Sequence, residues 1–336
     1  LSTTTHIQNN PDLDQQLFEQ IQKGRVLLER ELEKTIVGQK QVIEQLLICL
    51  LSGTHCLITG APGLAKTLLV RSVAQAFHLD FSRIQFTPDL MPADITGTEI
   101  LSDHEGRREL RFVQGPIFAN VILADEINRT PPKTQSALLE AMQEHQVTAA
   151  GKRYPLPKPF FVLATQNPIE MEGTYPLPEA QLDRFMFNVL IDYLPFEDEL
   201  KVVLDTTSQS PQTIEALFDQ NDISQFQGLV RRVPIAKEIA SYAVKLVGAT
   251  RPGQAETKDW INHSITWGAG LRAAQMLVLG AKARALLHGN THVRFEDIQA
   301  LVAPVLRHRL LLSYKAEAEG LTVERVIERL LSDSEF

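Results

Sequence analysis

An apolar run that breaks into a glycine loop and resumes as a helix leaves a chain few ways to fold. Residues 55–67 read HCLITGAPGLAKT, and LLVRSVAQAF follows. Cys56, Leu57 and Ile58 predict a buried strand, and the residues after Thr67 predict a helix. Strand, glycine loop and helix are the parts of an anion cradle. Glycine lets backbone N–H groups turn towards one point, and the helix N-terminus adds the positive end of its dipole. Gly60, Ala61, Pro62, Gly63, Leu64 and Ala65 would form the cradle, with Lys66, Thr67 and Leu68 opening the helix. Lys66 would reach the β- and γ-phosphates of a nucleotide, and the Thr67 hydroxyl would bind Mg²⁺. The G-x-x-x-x-G-K-[ST] template has glycine where this chain has Ala65. Alanine suits the first helical turn and excludes only positive φ, so the loop reads as a working variant.

A chain of 336 residues, 44% hydrophobic and 22% charged, has the length and composition of a soluble protein of two or three domains. Its net charge of −8 argues against a nucleic-acid binder held by a broad basic face. Cys49 and Cys56 fit no zinc or redox spacing and read as small buried hydrophobes. The nine histidines show no metal-ligand spacing. With no visible signal peptide and no apolar run near 18 residues, a cytoplasmic protein without a membrane segment is expected.

Along the chain, residues 1–11 read as a frayed polar end and apolar spacing from Leu13 predicts a helix. IVGQ at 36–39 interrupts it, and a second helix runs to about Leu51. Strands are expected at 82–86, in VILADEIN at 121–128, where four apolar residues lead to Asp125 and Glu126, and at 160–167 and 187–191, with hairpins at 98–113 and 146–156. TPDLMPADITGTEIL reads as turns rather than helix because of its prolines. A helix covers KTQSALLEAMQEH, and a short one, 176–185, ends at Asp183 and Arg184. Beyond Pro195 helical periods dominate, at 197–206, 235–249, 271–287, 295–307 and 322–331. The expected division is a helical extension at 1–34, an α/β nucleotide-binding core at 35–194 and an all-helical lid at 195–336.

Three strand ends carry matched chemistry: Lys66 with Thr67, Asp125 with Glu126, and Asn167. In open α/β sheets the C-terminal strand edge is where ligands bind. Asp125 can hold Mg²⁺, directly or through water, Glu126 can act as general base on a water, and Asn167 can orient that water. Singly, each is an ordinary loop residue; together on one sheet edge they point to nucleotide hydrolysis.

In these motifs the chain resembles the MoxR family of AAA+ ATPases, over roughly residues 35–310. GAPGLAKT resembles that family's Walker A motif, ADEINR its Walker B and ATQNP its first sensor. LPEAQLDRF is similar to the box that carries an arginine finger, here Arg184. GAGLRA at 268–273 is similar to the second-sensor motif, with Arg272 as sensor and Gly270-Leu271 where the family commonly has Ser-Pro. Val37 and Gly38 match the short motif that contacts adenine, and the hairpin at 98–113 resembles the helix-2 insertion shared with magnesium chelatases. The resemblance implies a parallel sheet flanked by helices and a helical lid. It also implies ATP and Mg²⁺ as cofactors, and a homo-oligomeric ring, most often a hexamer. A protein client is implied, possibly with a von Willebrand factor A partner. Two rivals stay open: a magnesium-chelatase motor subunit, and a nucleic-acid motor, which the charge disfavours. Arg107, Arg108 and Arg129 read as solvated charges, and the bland alternative for Arg184 is a surface pair with Asp183.

Overall fold

A computed structural model describes residues 11–104, 107–149, 151–167, 173–208, 213–254 and 257–333. Residues 1–10, expected to fray, and Glu105-Gly106 of the expected DHEG turn lie outside them. Two helices, α1 (Pro11–Glu33) and α2 (Lys40–Ser52), precede β1 (Cys56–Gly60) and α3 (Lys66–Ala76). The chain continues through β2 (Phe81–Gln85), α4 (Pro92–Thr96), the hairpin β3 (Gly97–His104) and β4 (Arg107–Gln114), and β5 (Val121–Asp125). Next come α5 (Pro132–Glu144), a short hairpin β6 (Gln146–Ala149) and β7 (Lys152–Pro155), β8 (Phe161–Gln166), α6 (Glu179–Leu182) and β9 (Phe187–Ile191). Five strands form one parallel sheet in the order β2-β5-β8-β1-β9.

Both faces of that sheet are covered, and the central strands divide their side chains between two cores. Cys56 and Ile58, Val121 and Leu123, Phe161 and Leu163 point to the side of α1, α2 and α3. Leu57, Ile122 with Ala124, and Val162 with Ala164 point to the side of α4 and α5. The period-2 alternation of a strand thus fills two layers, which is why these segments read as continuous apolar runs. His55, at the foot of β1, bridges β8 and α5: its Nδ1 accepts from the Val162 N–H at 3.1 Å and its Nε2 faces the Met142 carbonyl at 3.2 Å.

After β9 the chain is helical: α7 (Phe196–Ser208), α8 (Gln220–Arg232), α9 (Lys237–Gly248), α10 (Asp259–Ser264), then β10 (Ile265–Trp267) and α11 (Leu271–Leu287). It closes with α12 (Phe295–Leu306), β11 (Leu311–Leu312), α13 (Tyr314–Ala318) and α14 (Val323–Ser332). This lid packs on the α2 side of the sheet, where α2, α8, α11 and α12 share one core. The lid is helical, but β10 and β11 pair antiparallel within it, a ribbon too short to leave a sequence signal. The TPDLMPADITG stretch is also not all turn. Pro92 takes a first-turn position of α4, where its missing N–H costs nothing, and Asp94 accepts from the Met91 N–H. Among the described residues no helix is long and apolar enough to cross a membrane.

Candidate functional site

Parallel strands bring their C-terminal ends to one edge, and the sheet order decides which ends are neighbours. β1 lies beside β8, and β8 beside β5, so Gly60, Asp125 and Asn167 leave adjacent strands. Spacing of about 4.8 Å between strands keeps these exits within one nucleotide's reach. Gly60 is obligatory here, since a Cβ on it would stand 2.5 Å from the Ile191 carbonyl oxygen of β9. Pro62, Gly63 and Ala65 form an exposed crest.

Ala65 departs from expectation. It does not sit in the helical turn but has φ 55° and ψ 23°, left-handed backbone, as the residue that caps α3. Gly63 is also left-handed, at φ 83°. A loop that must double back between β1 and α3 needs positive φ at both points. The glycine of the template relieves a strain of about 1–2 kcal/mol that alanine here accepts. Left-handed turns of this kind aim successive N–H groups into a concavity suited to an anion. Lys66 opens α3, and its Nζ donates to the Gly60 carbonyl at 2.8 Å, across the mouth of the loop. Burial pulls its ammonium below the ordinary value, and the Asp125 and Glu126 carboxylates draw it back up. Thr67 and Leu68 follow on the first turn, half-buried and exposed.

Asp125 is buried and doubly held. The Thr165 hydroxyl donates to its Oδ1 at 2.6 Å, and Arg83 Nη2 donates to its Oδ2 at 2.6 Å. Glu126 follows in left-handed backbone, φ 57° and ψ 49°, a conformation uncommon for non-glycine residues. Thr165 Oγ1 accepts from the Glu126 N–H at 2.8 Å, so one hydroxyl orients both acids. The Glu126 carboxylate accepts from Gln85 at 2.9 Å and from Arg129 at 3.1 Å. Arg129 is exposed, as expected of a solvated charge, but it also pairs with Glu126. Arg83, Gln85 and Thr165 escaped the sequence reading as participants. The only available signal was that β2 ends in polar side chains and β8 in Thr165. Asn167 sits at the β8 exit with its side chain buried.

Val37 and Gly38 lie half-buried at the same edge. A Cβ on Gly38, whose φ is 68°, would stand 2.9 Å from Asp198 Oδ2 and 3.1 Å from Leu194 Cδ2. This loop therefore touches the chain just past the exit of β9.

The two remaining arginines are elsewhere. Asp183 and Arg184 precede the first residue of β9, and Phe187 pairs with Cys56, the first residue of β1. They stand at the N-terminal edge of the sheet, separated from the loop edge by the five residues of β9, or about 15 Å. Arg184 does not pair with Asp183. Its Nη1 donates to the Leu139 carbonyl of α5 at 2.7 Å. Asp183 instead takes Arg309 at 2.7 Å and Arg272 at 3.4 Å. Gly270 caps α11 in extended backbone, which sets Arg272 on the first turn, beside Asp183. Lys66, Thr67, Asp125, Glu126 and Asn167 are thus gathered at one edge, and Arg184 and Arg272 at the other.

Comparison with known proteins agrees with this architecture. The ATPase family associated with various cellular activities (AAA) matches residues 55–187, and the AAA lid domain matches 258–330. The chain is 43% identical to Chaperone MoxR1 of Mycobacterium tuberculosis over 305 residues, 90% of this chain and 79% of that protein. It is 32% identical to Protein MoxR of Paracoccus denitrificans over 314 residues, 87% of this chain and 91% of that one. A crystal structure of a protein assigned as an ATPase from Cytophaga hutchinsonii superimposes with a TM-score of 0.88. It is 43% identical and covered, like this chain, over 97% of its length.

Proposed function

The chain belongs to the MoxR family of AAA+ ATPases, and from that premise we propose that it hydrolyses ATP with Mg²⁺ to remodel a protein client. The observation that carries the reading is the single sheet edge shared by Lys66, Asp125, Glu126 and Asn167. The residues fit the groups they would hold. Lys66 and the left-handed loop suit the β- and γ-phosphates. The Thr67 hydroxyl and the lone pairs left on Asp125 suit Mg²⁺, which would supply charge neutralisation on the transferring phosphoryl group. Thr165 and Arg83 fix Asp125 in advance, and Glu126, oriented through its own N–H, accepts the proton of the attacking water. Asn167 orients that water, and Val37 and Gly38 face the base.

Arg184 and Arg272 then serve a neighbour's nucleotide rather than their own, because both stand at the far edge. That supports a closed ring, expected to be hexameric. The name of the mycobacterial relative supports a chaperone-like role, with a client and a von Willebrand factor A companion expected in the cytoplasm. The same premise divides the chain into an extension at 1–34, a core at 35–194 and a lid at 195–336. The test separates binding from turnover. By calorimetry, Lys66→Ala should lose ATP affinity severely, whereas Glu126→Gln should bind ATP normally and hydrolyse it about 10²- to 10⁴-fold more slowly. Unchanged affinity in the first, or wild-type turnover in the second, would remove the site.

A further inference from the structure

Helix α7 has no buried residue along its 13 positions, and among the described residues it meets the rest of the chain mainly through Asp198, beside Gly38. Yet it is amphipathic. Phe196, Leu200, Val203 and Leu204 recur at the i, i+4, i+7 and i+8 spacing of one helix face, and are 43–73% exposed. A helix of this length is marginal in water without a packed face. Two carboxylates, Glu197 and Glu199, flank the stripe, and the helix carries four in all, with Asp198 and Asp205, against one cation, Lys201.

A surface of the opposite kind lies on the lid. Between α9 and α11 runs an open groove of about 400 Å³, walled by Val244, Leu271, Val278 and Leu279 and bounded by Arg231 and Lys282. Val244 and Leu271 are more than half exposed. Lys282 donates to the Arg231 carbonyl at 3.1 Å, and burial together with the Arg231 charge lowers its pKa. Two crowded cations beside an apolar trough are relieved by an incoming carboxylate.

We infer that α7 of one copy seats its apolar stripe in the α9–α11 groove of a second copy, with its carboxylates against Arg231 and Lys282. Within one chain the two surfaces open towards different edges: α7 starts beside Gly38 at the loop edge, whereas the groove opens at Leu271, next to Arg272 at the far edge, and runs along α11 to Lys282. A head-to-tail contact joins them, and the same displacement carries Arg184 and Arg272 towards the neighbour's loop. Different patches on the two partners make the interface heterologous, the kind that closes into rings. The charge match and the adjacency to Arg272 favour a second copy over a client. The inference rests on the trans-acting arginines proposed above.

The experiment introduces one cysteine per chain, Val203→Cys in one preparation and Val244→Cys in another, and joins them with a short bismaleimide in the presence of ATP and Mg²⁺. Both positions are solvent-exposed, and the native Cys49 and Cys56 are buried. Covalent dimers should form in the mixture and in neither preparation alone. Arg231→Glu with Lys282→Glu in the Val244→Cys chain should reduce the yield at least tenfold, and Glu197→Lys with Glu199→Lys in the Val203→Cys chain should restore it. Cross-linking of Val203→Cys with itself, or none in the mixture, overturns the pairing. Complementation between Arg184→Ala and Lys66→Ala, run in parallel on chains without new cysteines, tells whether the trans-acting arginines survive that failure.

Discussion

Thr165 does with one oxygen what the site needs done twice: it donates to Asp125 and accepts from the Glu126 N–H. Thr165→Val keeps the shape and removes both bonds. It leaves a buried carboxylate oxygen short of a donor and a left-handed Glu126 without its anchor. A loss of about 1–3 kcal/mol in transition-state stabilisation is expected, roughly tenfold to a hundredfold in kcat, with ATP affinity nearly unchanged. Steady-state kinetics beside calorimetry check it, and wild-type kcat would remove Thr165 from the machinery. Lys66, Thr67, Asp125, Glu126 and Asn167 were legible because each follows an apolar strand and stands in a recurrent local order. Arg83, Gln85 and Arg129 were not, because their roles depend on which strand lies beside which. A second residue prediction concerns His55. Burial pushes its pKa from 6.5 down to about 4, and the charge of His145 adds to the effect. Above pH 6.5 neither state takes the proton. Between 6.5 and about 4 the unfolded chain binds a proton that the folded chain refuses, because Nδ1 is occupied by the Val162 N–H. Stability therefore falls as pH falls through this window, by about 3 kcal/mol in all from this residue. Urea unfolding at pH 7 and pH 4.5 should show the loss, and His55→Gln should flatten the slope.

Elements were readable where their pattern is long and unmixed. α11 begins and ends where its apolar run does, and the buried strands β5, β8 and β9 lie within a residue or two of their runs. Helix α8 was missed because QNDISQFQG is polar and carries Gly228, although Asp219 and Asp222 form a reciprocal cap that marks its start. The strap holding the lid to the sheet was also invisible, being a matter of one arginine and four acceptors far away in sequence. Arg309, almost fully buried after α12, donates to Asp183 Oδ1 and to the carbonyls of Asp183, Phe185, Met186 and Val305. It ties α12 to the segment that carries Arg184. Arg309→Met should cost about 3–5 kcal/mol, since it strands buried acceptors. Nucleotide affinity at the opposite edge should stay within about twofold, because no element of that edge is touched. A lowered urea midpoint with intact ATP binding is the expected pair of results, and joint loss of both would mean that the lid and the loop edge unfold together.

At the scale of the molecule, the proposed ring gives one chain only half of each site. Its phosphate loop and acids stand at one edge of the sheet and Arg184 at the other, held on the Leu139 carbonyl rather than on Asp183. An arginine supplied to a phosphoryl transfer contributes about 10³- to 10⁵-fold in kcat, far more than the roughly 0–1 kcal/mol of a surface ion pair. Three results follow if the arginine acts on a neighbour. Specific activity should rise with protein concentration, because a site is complete only at an interface. Arg184→Ala should bind ATP and hydrolyse it poorly. Mixing Arg184→Ala with Lys66→Ala, each inactive alone, should restore activity to about a quarter of the wild-type rate per site. Half of the copies keep the loop, and half of those meet a neighbour that keeps the arginine. Arg272, which shares Asp183 one residue away from Arg184, should behave in the same way in a mixture with Lys66→Ala. Activity independent of concentration, with no recovery in either mixture, would make each chain a self-contained ATPase and leave both arginines as struts between the sheet and the lid.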